Sequence, residues 1–182
     1  DREADMYALF ELGNRLKSPL LVRANVDRGV NRKSRYAEKG VVRLWSFMHD
    51  RPVSGTLTVE IPKRKATAHA TGRNARTAIL TVKFGSFVLN PPRNDVKHRA
   101  IDLPDLPLHA VYVYETAPPE NEEPIEWMLL TDLNISSFHE ACEKVRWYCL
   151  RWRIEMYFKV LKSGFKVEDC RLATADRLIR YL

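Results

Sequence analysis

The chain has 182 residues, 45% of them hydrophobic and 29% charged, with a formal net charge of +7. That is enough chain for one sizeable core, or a core with a small insertion, in a globular protein. The excess of base favours a polyanionic partner. No apolar run approaches the roughly 18 residues of a membrane span, and no signal peptide is visible. Three cysteines, Cys142, Cys149 and Cys170, lack metal-ligand spacing. Their odd number suits a reducing compartment, so a cytoplasmic location is expected.

Taken in chain order, residues 3–17 read as a helix. Met6, Leu9, Phe10, Leu12 and Leu16 recur at helical spacing, and Ser18-Pro19 ends the pattern. Leu20 to Ala24 is a short apolar run with a charge, Arg23, near its end, and reads as a buried strand. Asp27 to Lys39 is polar and basic and reads as a loop. Gly40 to Trp45 leads as a strand into a single helical turn over 46–50. Thr56–Ile61, Thr67–Ala70, Thr77–Phe84, Ser86–Leu89 and Leu108–Tyr114 read as strands, several with period-two alternation. Pro91-Pro92 and Pro118-Pro119 mark connections. Ile125 to Thr131 reads as another buried strand. Ser136-Ser137 with Glu140 forms a capping box for a helix running to about Tyr148. Residues 151–162 either continue that helix or begin a second, which Gly164 stops.

Charge is segregated along the chain. Residues 61–100 hold nine Lys or Arg and one acid, Asp95, whereas residues 101–126 hold seven acids and no Lys or Arg. The basic segment can face a phosphate backbone, or Lys63-Arg64-Lys65 can be a solvated loop.

The densest chemistry lies between Tyr148 and Lys162. Tyr148, Arg151, Glu155 and Lys162 follow at steps of three, four and seven, so on one continuous helix they share a face. A carboxylate among a phenol, a guanidinium and an ammonium suits a metal held beside phosphate, since arginine grips phosphate bidentately and lysine acts as a point charge. The plainer reading is an amphipathic helix with Trp147, Trp152, Ile154 and Phe158 packed inward, and the two readings are compatible. The chain opens with a second acidic cluster, Asp1-Arg2-Glu3-Ala4-Asp5. Asp1 is the stronger metal-ligand candidate there, because Glu3 and Asp5 fit a solvated first helical turn. Trp127 either packs into a core or offers a stacking platform for an unpaired base. The five histidines show no ligand pairing and read as surface or packing residues.

Asp1-Arg2-Glu3-Ala4-Asp5 together with Tyr148-x-x-Arg151-x-x-x-Glu155 and Lys162 resembles the bacterial insertion-sequence transposases that carry a DDE triad and a Y-R-E-K signature. The likeness spans Asp1 to about Arg171. It implies an α/β fold: a partial RNase H-like catalytic core (1–25 and 121–182) interrupted by an antiparallel β-rich insertion subdomain (26–120). It implies two Mg²⁺ or Mn²⁺ ions, with Asp1 and Glu155 as catalytic metal ligands. Tyr148, Arg151 and Lys162 would grip phosphates at the transposon end, and Arg23 would contact DNA. Trp127, 21 residues before Tyr148, would stack on a base flipped during hairpin formation. The implied chemistry is a series of in-line displacements at phosphorus: cleavage, hairpin formation, hairpin opening and strand transfer. The implied partners are double-stranded DNA, as transposon ends and target, and a second copy in a homodimer of the intact protein, with a nucleoid-associated location in a bacterium. The family's first Asp lies upstream of the second, so a chain starting at Asp1 is expected to be inactive alone. A non-enzymatic DNA-binding or inhibitory role for such a fragment is the alternative. A plain RNase H-like nuclease fits less well, because simple cleavage needs no base-stacking platform.

Overall fold

The computed structural model describes residues 4–31, 41–63, 72, 74–92, 103–120 and 122–163. The expected strand at 67–70, the Gly164 stop and Cys170 lie outside these. The described elements are α1 (Tyr7–Leu16), β1 (Leu21–Arg23), β2 (Gly29–Val30), β3 (Val42–Arg43), α2 (Leu44–His49), β4 (Gly55–Ile61), β5 (Arg76–Leu89), β6 (Leu106–Glu115), β7 (Glu126–Thr131), α3 (Phe138–Cys149) and α4 (Arg151–Ser163). The chain divides into two compact units, Asp1–Arg146 and Trp147–Leu182.

The first unit is mixed α/β, built on a single antiparallel sheet. Its strand order is β1-β7-β6-β5-β2-β3, with β4 pairing β5 as well. β5 is the spine. Its last ten residues pair with β6, its first seven with β4, and Leu89 with Val30 of β2. Sequence alternation suggested two strands, at 77–84 and 86–89. They are one, because Gly85 lies opposite Ala110 within an unbroken ladder. β6 carries the ladder on to β7 over Tyr114↔Glu126 to His109↔Thr131, and β7 carries it to β1 over Leu129↔Arg23 to Thr131↔Leu21. The strands expected in the insertion and the strands expected on either side of it therefore share one sheet.

Both faces of the sheet are apolar, and different helices cover them. Side chains alternate along a strand, so register assigns each residue a face. Phe87, Leu89, Leu106, Leu108, Ala110, Met128, Leu130 and Val22 form one cluster with Phe10 of α1 and Leu44 and Met48 of α2. Leu57, Val59, Ala78, Leu80, Val82, Val111, Val113, Trp127 and Leu129 lie on the other face, all buried. Phe138 of α3 meets this second face at Gly55, where an added Cβ would lie 2.8 Å from its ring. Ala141, Cys142 and Val145 continue the buried side of α3.

Helix ends depart from expectation in two places. α1 begins at Tyr7 rather than residue 3, and it ends where Lys17 turns left-handed at φ 53°. α2 starts at Leu44, two residues before the expected turn, because the Leu44 and Trp45 N–H groups are taken by Arg28 O and Asp27 Oδ1. The capping box forms as expected: Glu140 Oε2 accepts from the Ser136 and Ser137 N–H groups, and Ser137 Oγ accepts from Glu140 N–H. Among the described residues, no helix is long and apolar enough to cross a membrane.

Candidate nucleic-acid interface

Two groups of candidate residues occur, one in each unit. In the first unit they gather at the start of β7. Arg23 is the last residue of β1, and its Nη2 donates to the Glu126 carbonyl oxygen at 2.9 Å. Arg23 pairs with Leu129, so Trp127, two residues earlier on β7, lies on the same face as its diagonal neighbour. The fold thus brings Arg23 and Trp127 together. Trp127 is buried, at 7% exposure, opposite Val113. In this conformation it is the core residue that its position at a strand start suggests.

The ground beneath these two residues is polar and tightly bonded, a feature that spacing in sequence did not reveal. Glu115 accepts two hydrogen bonds from the Arg76 guanidinium, one of them 2.8 Å long, and its Oε2 also accepts from Ile125 N–H. Those hydrogen bonds, chiefly, hold the Arg76 guanidinium above its usual pKa. Glu115 N–H in turn donates to Ile125 O at 2.8 Å. The residue before Glu126 is therefore gripped on both sides of its backbone. On the opposite face, the Tyr112 hydroxyl donates to Glu126 Oε1 at 2.7 Å, so its oxygen accepts from His49 Nε2–H at 3.0 Å. Burial, and then the bond to Glu126, pushes the Tyr112 phenol above its usual pKa and keeps it a donor. His49, expected to be a surface or packing residue, is the exposed end of a His49–Tyr112–Glu126 chain. Only the tertiary pairing of β6 with β7 and α2 could have disclosed it.

Asp5 is the clearest correction. A solvated first-turn acid was expected, yet its side chain is 1% exposed and lies before the helix. Its Oδ2 accepts from Asn25 N–H at 2.7 Å and Val26 N–H at 3.0 Å, and Arg28 donates to both its Oδ1 and its carbonyl oxygen. The loop after β1 provides these donors, and a buried carboxylate is stable only when so satisfied.

In the second unit, one continuous helix was one of two expectations, and the chain takes the other. α3 ends at Cys149 and α4 begins at Arg151. The break is local: Leu150 N–H bonds Trp147 O, and Arg153 N–H bonds Leu150 O, both three-residue closures. Tyr148 therefore belongs to a different helix from the other three positions, and a face shared by all four does not follow. Positions 151, 155 and 162 still fall within about 40° of one another around α4 at 100° per residue. Tyr148 is buried, Arg151 half-buried and Lys162 exposed. The inward apolar set is also corrected: Trp147, Ile154 and Phe158 are all about half exposed. Burial raises the Cys142 and Cys149 thiols, in keeping with small packing residues.

The two expected metal ligands cannot be placed. Asp1 and the side chains of Glu155 and Trp152 lie outside the described residues. Among the described residues, no group of three or more His, Cys, Asp or Glu is arranged to hold a metal ion. No family model matches the chain.

Proposed function

We propose that the chain is part of the catalytic core of a DDE-type DNA transposase with an RNase H-like architecture, acting on double-stranded DNA at transposon ends. The observation that carries the reading is the double motif, Asp1-Arg-Glu-Ala-Asp5 with Tyr148, Arg151, Glu155 and Lys162. Three further points support it. Glu155 falls on a helix, one turn beyond Arg151 and two turns before Lys162. Arg23 and Trp127, separated by about a hundred residues, are neighbours on one sheet face. The mixed α/β architecture, an antiparallel sheet with helices, is compatible with the expected α/β class.

In this reading Asp1 and Glu155 offer hard carboxylate oxygens, a donor set suited to Mg²⁺ or Mn²⁺. The bound ions supply charge stabilisation at the attacking and leaving oxygens of a phosphodiester. Arg151 and Lys162 hold the strand by phosphate contacts, and Arg23 adds a third cation at the end of β1. Trp127 receives a flipped base only after leaving its buried position, so unstacking the DNA and exposing the indole are linked. A homodimer of the intact protein would hold two ends.

Glu155→Gln in the full-length protein tests the reading. Cleavage of end DNA should be lost while end binding stays within about twofold. Persistent cleavage rejects Glu155 as a ligand. Lys162→Ala should weaken binding to all ends alike and lower the salt slope by about one phosphate contact.

A further inference from the structure

We propose that Arg51, just after α2, and Lys83, in the middle of β5, form a platform that binds the phosphates of duplex DNA. The inference rests on the reading that the chain binds DNA, and adds to it a surface that the double motif does not contain. Leu44 and Met48 of α2 pack into the cluster on one face of the sheet. At the end of that helix Asp50 N–H bonds Ser46 O and Arg51 N–H bonds Met48 O, which carries the chain on to Arg51. The Arg51 guanidinium rests on two supports. Its Cζ lies 4.3 Å from the Phe47 ring centroid, and its Nε lies 3.2 Å from where a Cβ would stand on Gly85. Glycine inside a paired strand costs stability, and here it makes room for the guanidinium. Lys83, two residues before Gly85, shares its face of the sheet, about 7 Å along the strand. The Lys83 Nζ donates to His49 O at 2.6 Å and lies 6.0 Å from the Tyr114 ring centroid. Tyr114 in turn stacks on Tyr112, whose ring meets His49.

These contacts, a carbonyl oxygen and aromatic faces, position the two cations without neutralising them. Arg51 and Lys83 are half-buried, and His49 is exposed. An ammonium has three donors, of which His49 O takes one. A guanidinium laid on a ring keeps its N–H groups in plane, the geometry that grips phosphate bidentately. Hydroxyl donors continue the same face. Thr56 pairs with Thr81 and Thr81 with Tyr114, so Thr56, and Thr58 two residues on, share a face with Lys83, and both are exposed. The acids of this surface are engaged or offset. Glu126 lies two strands from Lys83, with its Oε1 taken by the Tyr112 hydroxyl, and Glu60 accepts from Thr77 Oγ1 on β4. Asp50, between His49 and Arg51, is exposed and cancels part of the charge, so binding depends on the fixed donors and not on a broad basic field. Neighbouring phosphates of one strand are the ligand that fits two fixed cations flanked by hydroxyls on an open sheet surface. Arg, Lys, Thr and Tyr together position a duplex without reading its sequence.

The test measures how binding of a short DNA duplex of arbitrary sequence depends on salt. It compares full-length protein with Lys83→Met, Arg51→Met, the double variant, Lys83→Arg and Met48→Ala. Lys83→Met and Arg51→Met should each lower the slope of log K against log salt by about 0.9, and the double variant by about 1.8, since each cation holds its own phosphate. Lys83→Arg keeps the charge and should keep the slope. Met48→Ala removes a buried side chain of α2 and should lower the melting temperature without moving the slope. Wild-type slopes in both Met variants, a slope that Lys83→Arg fails to keep, or an equal fall in Met48→Ala each overturn the platform. Lys162→Ala still lowering the slope in that event leaves the transposase reading standing. Wild-type protein whose duplex binding is absent or independent of salt overturns both.

Discussion

The sheet of the first unit and the helix α4 of the second use apolar residues in opposite ways. Leu80, Val82, Val111, Val113, Leu129 and Leu130 are wholly buried between helices that this same chain supplies. In α4, Ile154, Tyr157, Phe158 and Val160 are each half exposed or more, and Tyr157 meets Phe158 edge to face at 5.8 Å. Hydrophobic burial holds the sheet, at roughly 1.5–3 kcal/mol for each large side chain. α4 is thirteen residues long, a length that is marginal for an isolated helix in water. The region with the buried sheet carries Arg23 and Trp127, and the helix whose described apolar side chains are half exposed carries Arg151, Glu155 and Lys162.

Four substitutions sharpen or break that comparison. The largest effect belongs to Glu115→Ala, which strands the Arg76 guanidinium against the sheet and frees Ile125 N–H. Removing one partner of a buried pair costs about 3–5 kcal/mol, and urea denaturation should show it. A loss as small as that of a surface pair would mean that the polar clamp under β7 contributes little. Next comes a matched pair of truncations. Leu129→Ala should cost about 2–5 kcal/mol, whereas Phe158→Ala should cost no more than about 0.5 kcal/mol. Equal costs would erase the distinction between the two regions. The smallest effect is that of Glu140→Gln. Hydrogen bonds from Ser136, backbone first, hold the Glu140 carboxyl below its usual pKa. A depressed carboxyl contributes stability that is complete above its usual pKa of about 4.5 and lost as pH falls through the lowered value. Wild-type protein should therefore lose stability on acidification through that window, and Glu140→Gln should flatten that limb. An unchanged acid limb would remove the capping box as a determinant of α3.

Local pattern made much of this legible. The alternation of Thr56–Ile61 and the apolar run ending at Thr131 marked strands because a half-buried strand repeats every two residues. The capping box at Ser137 and Glu140 was legible because all its partners lie within one turn. Elsewhere distant partners prevailed. Asp5 read as a solvated helix-start acid because its donors, Asn25, Val26 and Arg28, come from a loop twenty residues away. The ladder through Gly85 read as a gap because glycine carries no side chain to mark a strand, while β6 supplies the hydrogen bonds. Tyr148 kept its spacing to Arg151 but not its helix, because three-residue closures around Leu150 end one helix and start the next.

What the sequence by itself determined was most of the longer elements, though not β2, the unity of β5 or the break at Leu150, and the spacing of Tyr148, Arg151, Glu155 and Lys162, since these depend on interactions within a few residues. Only the tertiary structure decided that Arg23 and Trp127 share one sheet face, that Asp5 is buried against Asn25, Val26 and Arg28, and that His49, Tyr112 and Glu126 form one chain. Those contacts join residues up to about a hundred apart, and only strand register, set by burying both faces of the sheet at once, brings them together.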